Sequence, residues 1–257
     1  FNGSQFAFTV KNSGSATSAS SVAGIFLSVD GSVTTSDMLV GTASTPALAA
    51  NASIAELATL ALPTDLAPGT YYLAAIANYN GHASESTSTN NKSNHVPVIL
   101  GNDSANTLTG TNSNNTIFGL GGADTLNGNG GTDTLIGGTG NDIYIVNNGG
   151  VTIIEATNAG TDTVKTSLSG FTLAANVENL IYTGSAAFKG TGNAAANSIT
   201  GGAGADTLKG LGGADHLPGG GGNAIFYYGS AADSTGKPHD TVTDFDNRAF
   251  DAGGDRL

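Results

Sequence analysis

Apolar residues recur with two different periods along this chain, and the period changes near residue 100. Before that point, apolar and polar positions alternate in short stretches at 6–10 and 25–29. A period of two is typical of half-buried β-strands. Further strands are predicted at 53–60, 70–78 and 95–100. Short strands separated by turns that contain Gly, Asn or Pro favour an immunoglobulin-like β-sandwich.

From residue 101 onward the apolar residues recur at every ninth position. Five repeats follow one another through residue 145: GNDSANTLT, GTNSNNTIF, GLGGADTLN, GNGGTDTLI and GGTGNDIYI. Four more occupy 192–227: GNAAANSIT, GGAGADTLK, GLGGADHLP and GGGGNAIFY. The eighth position is apolar or aromatic, and the sixth is Asn or Asp except at Ala224. A fixed short period predicts a β-solenoid whose rungs stack their apolar residues on one another.

The stretch between the two arrays, 146–191, has lost the nonapeptide but keeps strand-like segments. The sequence of this stretch is compatible both with a linker and with a continued solenoid that has irregular rungs. The continuation is favoured because an apolar residue stands wherever an inward-pointing side chain is needed. These residues are Ile153, Val164, Leu180 and Phe188.

Each repeat combines a glycine-rich turn of six residues with a strand of three. Glycine permits positive φ angles, and it lets backbone carbonyls face the gap between stacked turns. The sixth-position carboxylate enters the same gap. Ca²⁺ takes roughly six to eight oxygen ligands and accepts mixtures of carbonyl and carboxylate. Stacked Asp or Asn could also close the turns without metal, through side-chain ladders. Aspartates in register repel one another unless a cation lies between them, which favours calcium.

These repeats resemble the RTX calcium-binding nonapeptide of haemolysin-type proteins. The resemblance implies a right-handed parallel β-roll in which two nonapeptides make one turn, with several Ca²⁺ ions, each between repeats n and n+2. Asp124 and Asp142 would then share one row, and Asp133 would lie in the other. The predicted metal ligands are the sixth-position side chains, turn residues at positions one and three, and one tail acid: Asn106, Asn115, Gly119, Gly121, Asp124, Gly128, Gly130, Asp133, Gly137, Thr139, Asp142, Asn197, Gly201, Ala203, Asp206, Gly210, Gly212, Asp215 and Asp240.

The resemblance also implies that the sites differ in strength. Full sites are expected at 119–142, and weaker ones wherever Asn supplies a single neutral oxygen. In the second array Asp215 would pair with Asn197, and Asp206 with Ala224. Because Ala224 offers no side-chain ligand, that last site needs Asp240 or another tail acid. Without calcium the array is expected to be largely unfolded, since glycine is costly to order and each repeat offers one sizeable apolar residue.

Two further segments carry family resemblances. The first hundred residues contain KNSGSA, IFLSVDG, LPTDLAPGTYYLAAIAN and STNN in order, and they resemble CARDB, a bacterial adhesion-related domain. This implies a sandwich that serves as a spacer or adhesive module. The tail HDTVTDFDNRAFDAGGDRL resembles the cap that follows such repeats in serralysin-type proteases. The expected fold is therefore all-β, with a sandwich at 1–100 and a β-roll at 101–257. The roll comprises arrays at 101–145 and 192–227, irregular rungs at 146–191 and a cap at 228–257.

Composition narrows the partners. The chain has 20 acidic and 8 basic residues and a net charge of −12, so nucleic acid and anionic membranes are not expected partners. Cysteine is absent, so no disulfide can stabilise the fold. No apolar run approaches the roughly 18 residues of a transmembrane helix, and no signal peptide is evident.

Catalytic motifs are absent from the sequence. The four histidines do not form H-E-x-x-H, and no G-x-S-x-G occurs. We therefore expect a non-enzymatic, secreted calcium-binding protein of a Gram-negative cell. It would fold on Ca²⁺ after type I secretion and act as a structural or adhesive protein at the cell surface, in the extracellular matrix or in a surface layer. Surface glycans, other surface proteins and self-assembly are the partners considered. The alternative is the non-catalytic C-terminal part of a secreted hydrolase, such as a serralysin-like metalloprotease.

Overall fold

The computed structural model describes residues 5–81, 91–228 and 239–245. Across these residues the chain forms strands and turns and no helix, so the predicted all-β fold is confirmed. Hence no helix in the described ranges could span a bilayer. The chain divides into two compact units, residues 1–100 and 101–257. Each unit is described by itself below.

The first unit is a small antiparallel β domain. Its strands are β1 (Gln5–Lys11), β2 (Ser21–Ser28), β3 (Met38–Thr45), β4 (Ser53–Thr59), β5 (Gly69–Ile76) and β6 (Val96–Leu100). β1 pairs with β4, and the order β6-β5-β2-β3 forms the other sheet. One core cluster contains Phe26, Val33 and Ala74, with Tyr72, Ile76 and Tyr79 packed around it.

The sequence pattern describes β1 well and β2 poorly. Along β1, Phe6 is buried, and exposed positions alternate with buried or half-buried ones as predicted. The alternation predicted at 25–29 is wrong, because β2 is buried at every position from Ala23 to Ser28. Val29 lies beyond the end of the strand and is 76% exposed. β2 is flanked by β3 and β5 and is covered on both faces, so apolar and small residues fill it without a period of two.

The second unit is a β-solenoid of parallel strands. They are β7 (Thr107–Thr109), β8 (Thr116–Gly121), β9 (Thr125–Asn127), β10 (Thr134–Thr139), β11 (Ile143–Val146), β12 (Thr152–Ile154), β13 (Thr163–Thr166), β14 (Gly170–Thr172), β15 (Asn179–Tyr182), β16 (Lys189–Thr191), β17 (Ser198–Thr200), β18 (Thr207–Lys209) and β19 (Ile225–Phe226).

From β7 to β18, successive strands of the solenoid alternate between two faces. One face carries β7-β9-β11-β13-β15-β17 in order. The other carries β8-β10-β12 and then β14-β16-β18-β19. Leu108 pairs with Leu126, and Leu126 with Tyr144, so each repeat stacks on the next but one. Two nonapeptides therefore make one full turn.

The solenoid continues through the irregular stretch, and the linker alternative is wrong. β11 pairs with β13, β13 with β15, and β15 with β17, which joins the two arrays in one sheet. The four apolar residues predicted to point inward are all buried. Ile153, Val164 and Leu180 pair in register with eighth-position residues, whereas Phe188 lies two residues earlier and Gly190 takes the eighth-position place opposite Leu208. Together with the eighth-position residues of the arrays, these four apolar residues form the core: Leu108, Ile117, Leu126, Leu135, Tyr144, Ile153, Val164, Leu180, Phe188, Ile199, Leu208, Leu217 and Phe226.

Candidate metal centre

In five of the nine regular turns, those that begin at residues 119, 128, 137, 210 and 219, two residues adopt the left-handed conformation. They are the second and fourth positions, and their φ angles lie between 63° and 126°. The fourth position is always Gly in these turns, whereas the second also tolerates Leu and Asn. These residues are Leu120, Gly122, Asn129, Gly131, Gly138, Gly140, Leu211, Gly213, Gly220 and Gly222. The two positive-φ residues of such a turn reverse the chain direction, so that the chain reaches the opposite face of the roll within six residues.

The first glycine of each turn is required for a different reason, which is the close approach of oxygen atoms. A methyl group on Gly119 would collide with the Asp124 Oδ2 atom and with the carbonyl oxygen of Gly137, one turn further on. Four further first-position glycines would meet a sixth-position side-chain oxygen and the first carbonyl oxygen of the next turn in the same way: Gly101, Gly110, Gly192 and Gly201. Each of these five turns therefore directs oxygen atoms from two successive rungs into one small space.

Sixth-position side chains are stacked along one edge of the roll. The Asp124 Oδ1 atom accepts a hydrogen bond of 2.7 Å from the Asn106 backbone N–H, and Asp142 Oδ1 accepts one of 2.8 Å from Asp124 N–H. The same type of contact links Asp142 to Asp162 and Asp162 to Glu178. Further hydrogen bonds donated by backbone N–H groups continue the row from Glu178 to Asp240. We call this the acidic row: Asn106, Asp124, Asp142, Asp162, Glu178, Asn197, Asp215 and Asp240.

The opposite edge carries few acids. Asp133 Oδ1 accepts from Asn115 N–H at 2.9 Å, and Asp206 Oδ1 accepts from Phe188 N–H at 2.9 Å. We call this the interrupted row: Asn115, Asp133 and Val151 in its first part, and Ser169, Phe188, Asp206 and Ala224 in its second. Asp124 and Asp142 thus share one row and Asp133 lies in the other, which is the arrangement that the sequence resemblance implies.

In and beside the first array, four aspartates leave one carboxylate oxygen buried without a hydrogen-bond donor. The Oδ2 atoms of Asp124, Asp133, Asp142 and Asp162 have no partner among the described residues, and none of these four residues is more than 1% exposed. We call them the open carboxylates. An uncompensated buried ion costs roughly several kcal/mol, so four of them outweigh the roughly 5–15 kcal/mol net stability of a domain. The folded roll therefore needs either protons or cations at these positions.

The raised pKa values of the buried aspartates also indicate that these carboxylates need protons or cations. Burial raises the pKa of Asp124 to about 6, and the neighbouring charge of Asp142 adds to this, against a lowering by the hydrogen bond from Asn106. Burial raises the pKa of Asp162 to about 6, and raises that of Asp142. Aligned carboxylate and carbonyl oxygens with unused lone pairs are the ligands that Ca²⁺ prefers. The donor set therefore fits a hard divalent cation.

Comparisons with protein families indicate which cation these oxygen atoms bind. The family model of the RTX calcium-binding nonapeptide repeat matches four stretches: 100–135, 109–144 and 118–153, which overlap, and 191–226. A CARDB family model matches 2–95. This is a calcium-binding RTX-type protein with an N-terminal CARDB domain. No curated protein matches the chain.

Some RTX turns are closed by their own side chains. Asn106, Asn115 and Asn197 each accept a backbone N–H from the residue four positions earlier, at 2.7–2.8 Å. Asp206 does the same through Oδ2, which accepts from Gly202 N–H at 2.7 Å, so both of its oxygens are used. We call the turns that end in these four residues the closed turns. The side-chain oxygens of the closed turns are less available to Ca²⁺ than those of the open carboxylates. This adds to the weaker calcium binding expected of neutral Asn.

The tail acids lie at different rows. Asp240 Oδ1 accepts from Asp215 N–H at 2.9 Å, so Asp240 extends the acidic row and does not stand in for Ala224. Asp244 accepts from Gly219 and Gly220 N–H at 2.8 and 2.6 Å, beside the last turn of the interrupted row. The serralysin-like cap stays a prediction, because most of 228–257 lies outside the described residues.

The predicted ligand set also stays a prediction, and it omits three acids that the structure places among the RTX turns. Asp162 and Glu178 stand in the acidic row, and Glu155 follows β12 directly. A signal for two of them exists in the sequence. Asp162-Thr163-Val164 and Glu178-Asn179-Leu180 keep the sixth-to-eighth order of a repeat, although the glycines before them are lost.

Proposed function

We propose that this RTX protein is a secreted, non-catalytic structural or adhesive protein whose roll folds when it binds Ca²⁺ outside the cell. The observation that carries the proposal is the acidic row, in which open carboxylates stack on successive rungs. Such a row is unfavourable in the absence of cations. Metal binding then supplies folding free energy directly, because the site does not exist in the unfolded chain.

This coupling suits export. Cytosolic calcium is scarce, so the 101–257 unit stays extended and can pass a narrow type I channel. Ca²⁺ outside the cell then stabilises the folded state by mass action, and stability rises with each ion bound. The absence of cysteine fits a protein held by core and metal instead of disulfides.

The CARDB domain supports the adhesive part of the proposal, because its family implies a spacer or adhesive sandwich. The sequence contains neither H-E-x-x-H nor G-x-S-x-G, in keeping with a non-catalytic role. Surface glycans, other surface proteins and copies of the same chain are the partners to test.

A calcium titration of chelated protein tests the folding claim. Far-UV circular dichroism should change from coil to β as Ca²⁺ is added, whereas Mg²⁺, which demands a strict octahedral shell, should not replace it. Asp133→Ala should shift the transition to higher calcium, since it removes an open carboxylate. Asp37→Ala is the control, because Asp37 caps a turn in the first unit through Thr34 N–H. Equal shifts in the two variants would contradict the assignment.

The second candidate is the C-terminal part of a secreted hydrolase. It is favoured by the tail, whose sequence resembles a serralysin cap and whose Asp240 and Asp244 bind the last turns of the roll. The longer gene product separates the two: an upstream zinc-binding helix would support the hydrolase, and repeated sandwich domains would support the adhesin.

A further inference from the structure

Three acidic side chains meet where the first RTX array ends. One carboxylate oxygen from each of Asp142, Glu155 and Asp162 lies within 4.8 Å of the others. The residues are 1%, 8% and 1% exposed. Glu155 and Asp162 fall outside the matched repeats, which stop at 153 and resume at 191. This acidic cluster therefore draws two of its three acids from outside the nonapeptide repeats.

Two of its oxygens are free to bind a ligand. The backbone N–H groups of Asp124 and Asp142 hold the Oδ1 atoms of Asp142 and Asp162, each at 2.8 Å. These hydrogen bonds fix both carboxylates in place. Both Oδ2 atoms remain buried without a donor among the described residues. No lysine or arginine in the described ranges pairs with the three acids, so the charges that act on them are negative: their own and, on Asp162, that of Glu178.

The space at Gly137 shows how Glu155 enters the site. Beside Gly119, the atoms nearest to an added methyl group include one carboxylate oxygen and the carbonyl oxygen of the next turn. Beside Gly137 the nearest atoms are Asp142 Oδ2, Glu155 Oε1 and the Tyr144 hydroxyl. The Glu155 side chain thus adds a second carboxylate oxygen where Gly119 has a neutral carbonyl nearby.

Tyr144 is part of the same arrangement. It occupies an eighth position, where the neighbouring repeats of the first array have Leu, and its hydroxyl donates to Glu155 Oε1. The ring is fully buried. The other Glu155 oxygen, Oε2, accepts from Ala156 N–H at 3.2 Å. Glu155 is therefore held from both sides.

We infer that Asp142, Glu155 and Asp162 form a further calcium site at the junction between the first array and the irregular rungs, with Glu155 and Asp162 supplied from outside the nonapeptide repeats. The inference rests on the calcium-dependent folding proposed above. Three carboxylates and a phenol hydroxyl are an all-oxygen set, which selects a hard divalent cation. Because this site carries more negative charge than a regular turn, it binds Ca²⁺ more tightly and fills first. Its ion fixes the first irregular turn, from which the solenoid continues.

The test compares Glu155→Gln with wild-type full chain, and Glu56→Gln in the first unit serves as the matched control. Isothermal titration with CaCl₂ should show one ion fewer per chain for Glu155→Gln, or that ion bound at least about tenfold more weakly. In chelator at about pH 5, where the metal-free roll keeps β structure, the variant should be at least as stable as wild type. In calcium it should melt at a lower temperature. A purely structural Glu155 would destabilise both states.

Terbium provides a second readout that does not depend on how Glu155→Gln folds. The chain has no Trp, so tyrosine must sensitise Tb³⁺ emission. The first Tb³⁺ equivalent should emit strongly in wild type and weakly in Tyr144→Phe, with an unchanged number of bound ions. Unchanged stoichiometry, affinity and emission in both variants would overturn this site. If wild type folds on calcium, the proposed function survives that result. If wild type binds no calcium, both proposals fail.

Discussion

At the residue scale, the two kinds of glycine in the RTX turn have separate tasks. Second- and fourth-position residues reverse the chain with positive φ, whereas first-position glycines leave room for converging oxygens. The third position is permissive, as Thr139 and Ala203 show. A repeat alignment does not distinguish these reasons, because it records only that glycine recurs.

Replacing a first-position glycine by alanine should therefore be far worse than replacing a third-position one. Gly119→Ala places a methyl group against Asp124 Oδ2 and the Gly137 carbonyl, and should lower the calcium-loaded free energy of unfolding by about 3 kcal/mol. Gly212→Ala meets only Ala194 at 3.7 Å. It should be neutral or stabilise by about 0.5 kcal/mol through the unfolded state. Urea unfolding in saturating calcium measures both, and similar losses would contradict the oxygen-convergence argument.

At the element scale, the arrays could be predicted from the sequence because apolar and acidic positions keep a strict period. The irregular rungs keep the inward apolar residue, so their continuation could also be predicted. Their acids could not be placed, because the spacing along the acidic row changes from 18 residues to 20 at Asp162 and to 16 at Glu178. Because the sequence pattern does not give the register of the irregular strands, it predicts neither how far the acidic row extends nor that the Glu155 side chain lies beside Asp142.

The burial of β2 escaped prediction for a related reason. Sequence alternation reports one covered face, and it is lost when a strand is covered on both. Only the packing of the whole first unit establishes that Ala23–Ser28 is buried throughout.

The acidic row also predicts an unusual pH dependence of the metal-free roll. Burial raises the pKa of Glu155 to about 7, and raises those of Asp124 and Asp162 to about 6, above their ordinary values of 4.5 and 3.8. The folded state therefore binds more protons than the unfolded state between about pH 4 and 7. Its stability is greatest near the unfolded values and falls as pH rises through 6 to 7.

In EDTA, far-UV circular dichroism should accordingly show more β structure at about pH 5 than at about pH 8. Calcium affinity should change in the opposite direction, because Ca²⁺ must displace those protons, so titration at about pH 6 should release protons. A metal-free protein that became steadily more folded as pH rose would contradict the burial of these carboxylates.

At the scale of the whole molecule, the two units depend on calcium to different degrees. The first is an antiparallel domain with its own apolar core and hydrogen-bonded turns. The second stacks acids along one edge, in a chain with a net charge of −12. Its core supplies about one large residue per nonapeptide, which does not offset several buried charges. Divalent ions are what make the roll the stable state of residues 101–257.

Amide hydrogen exchange of the full chain, read by mass spectrometry in EDTA and in calcium, tests this claim most directly. The first unit provides an internal reference, since its amides should be protected in both conditions. In EDTA at neutral pH the peptides covering 101–228 should exchange at the rate of unfolded chain, and in calcium they should become protected. Protection of those peptides that persists after complete removal of metal would contradict the account.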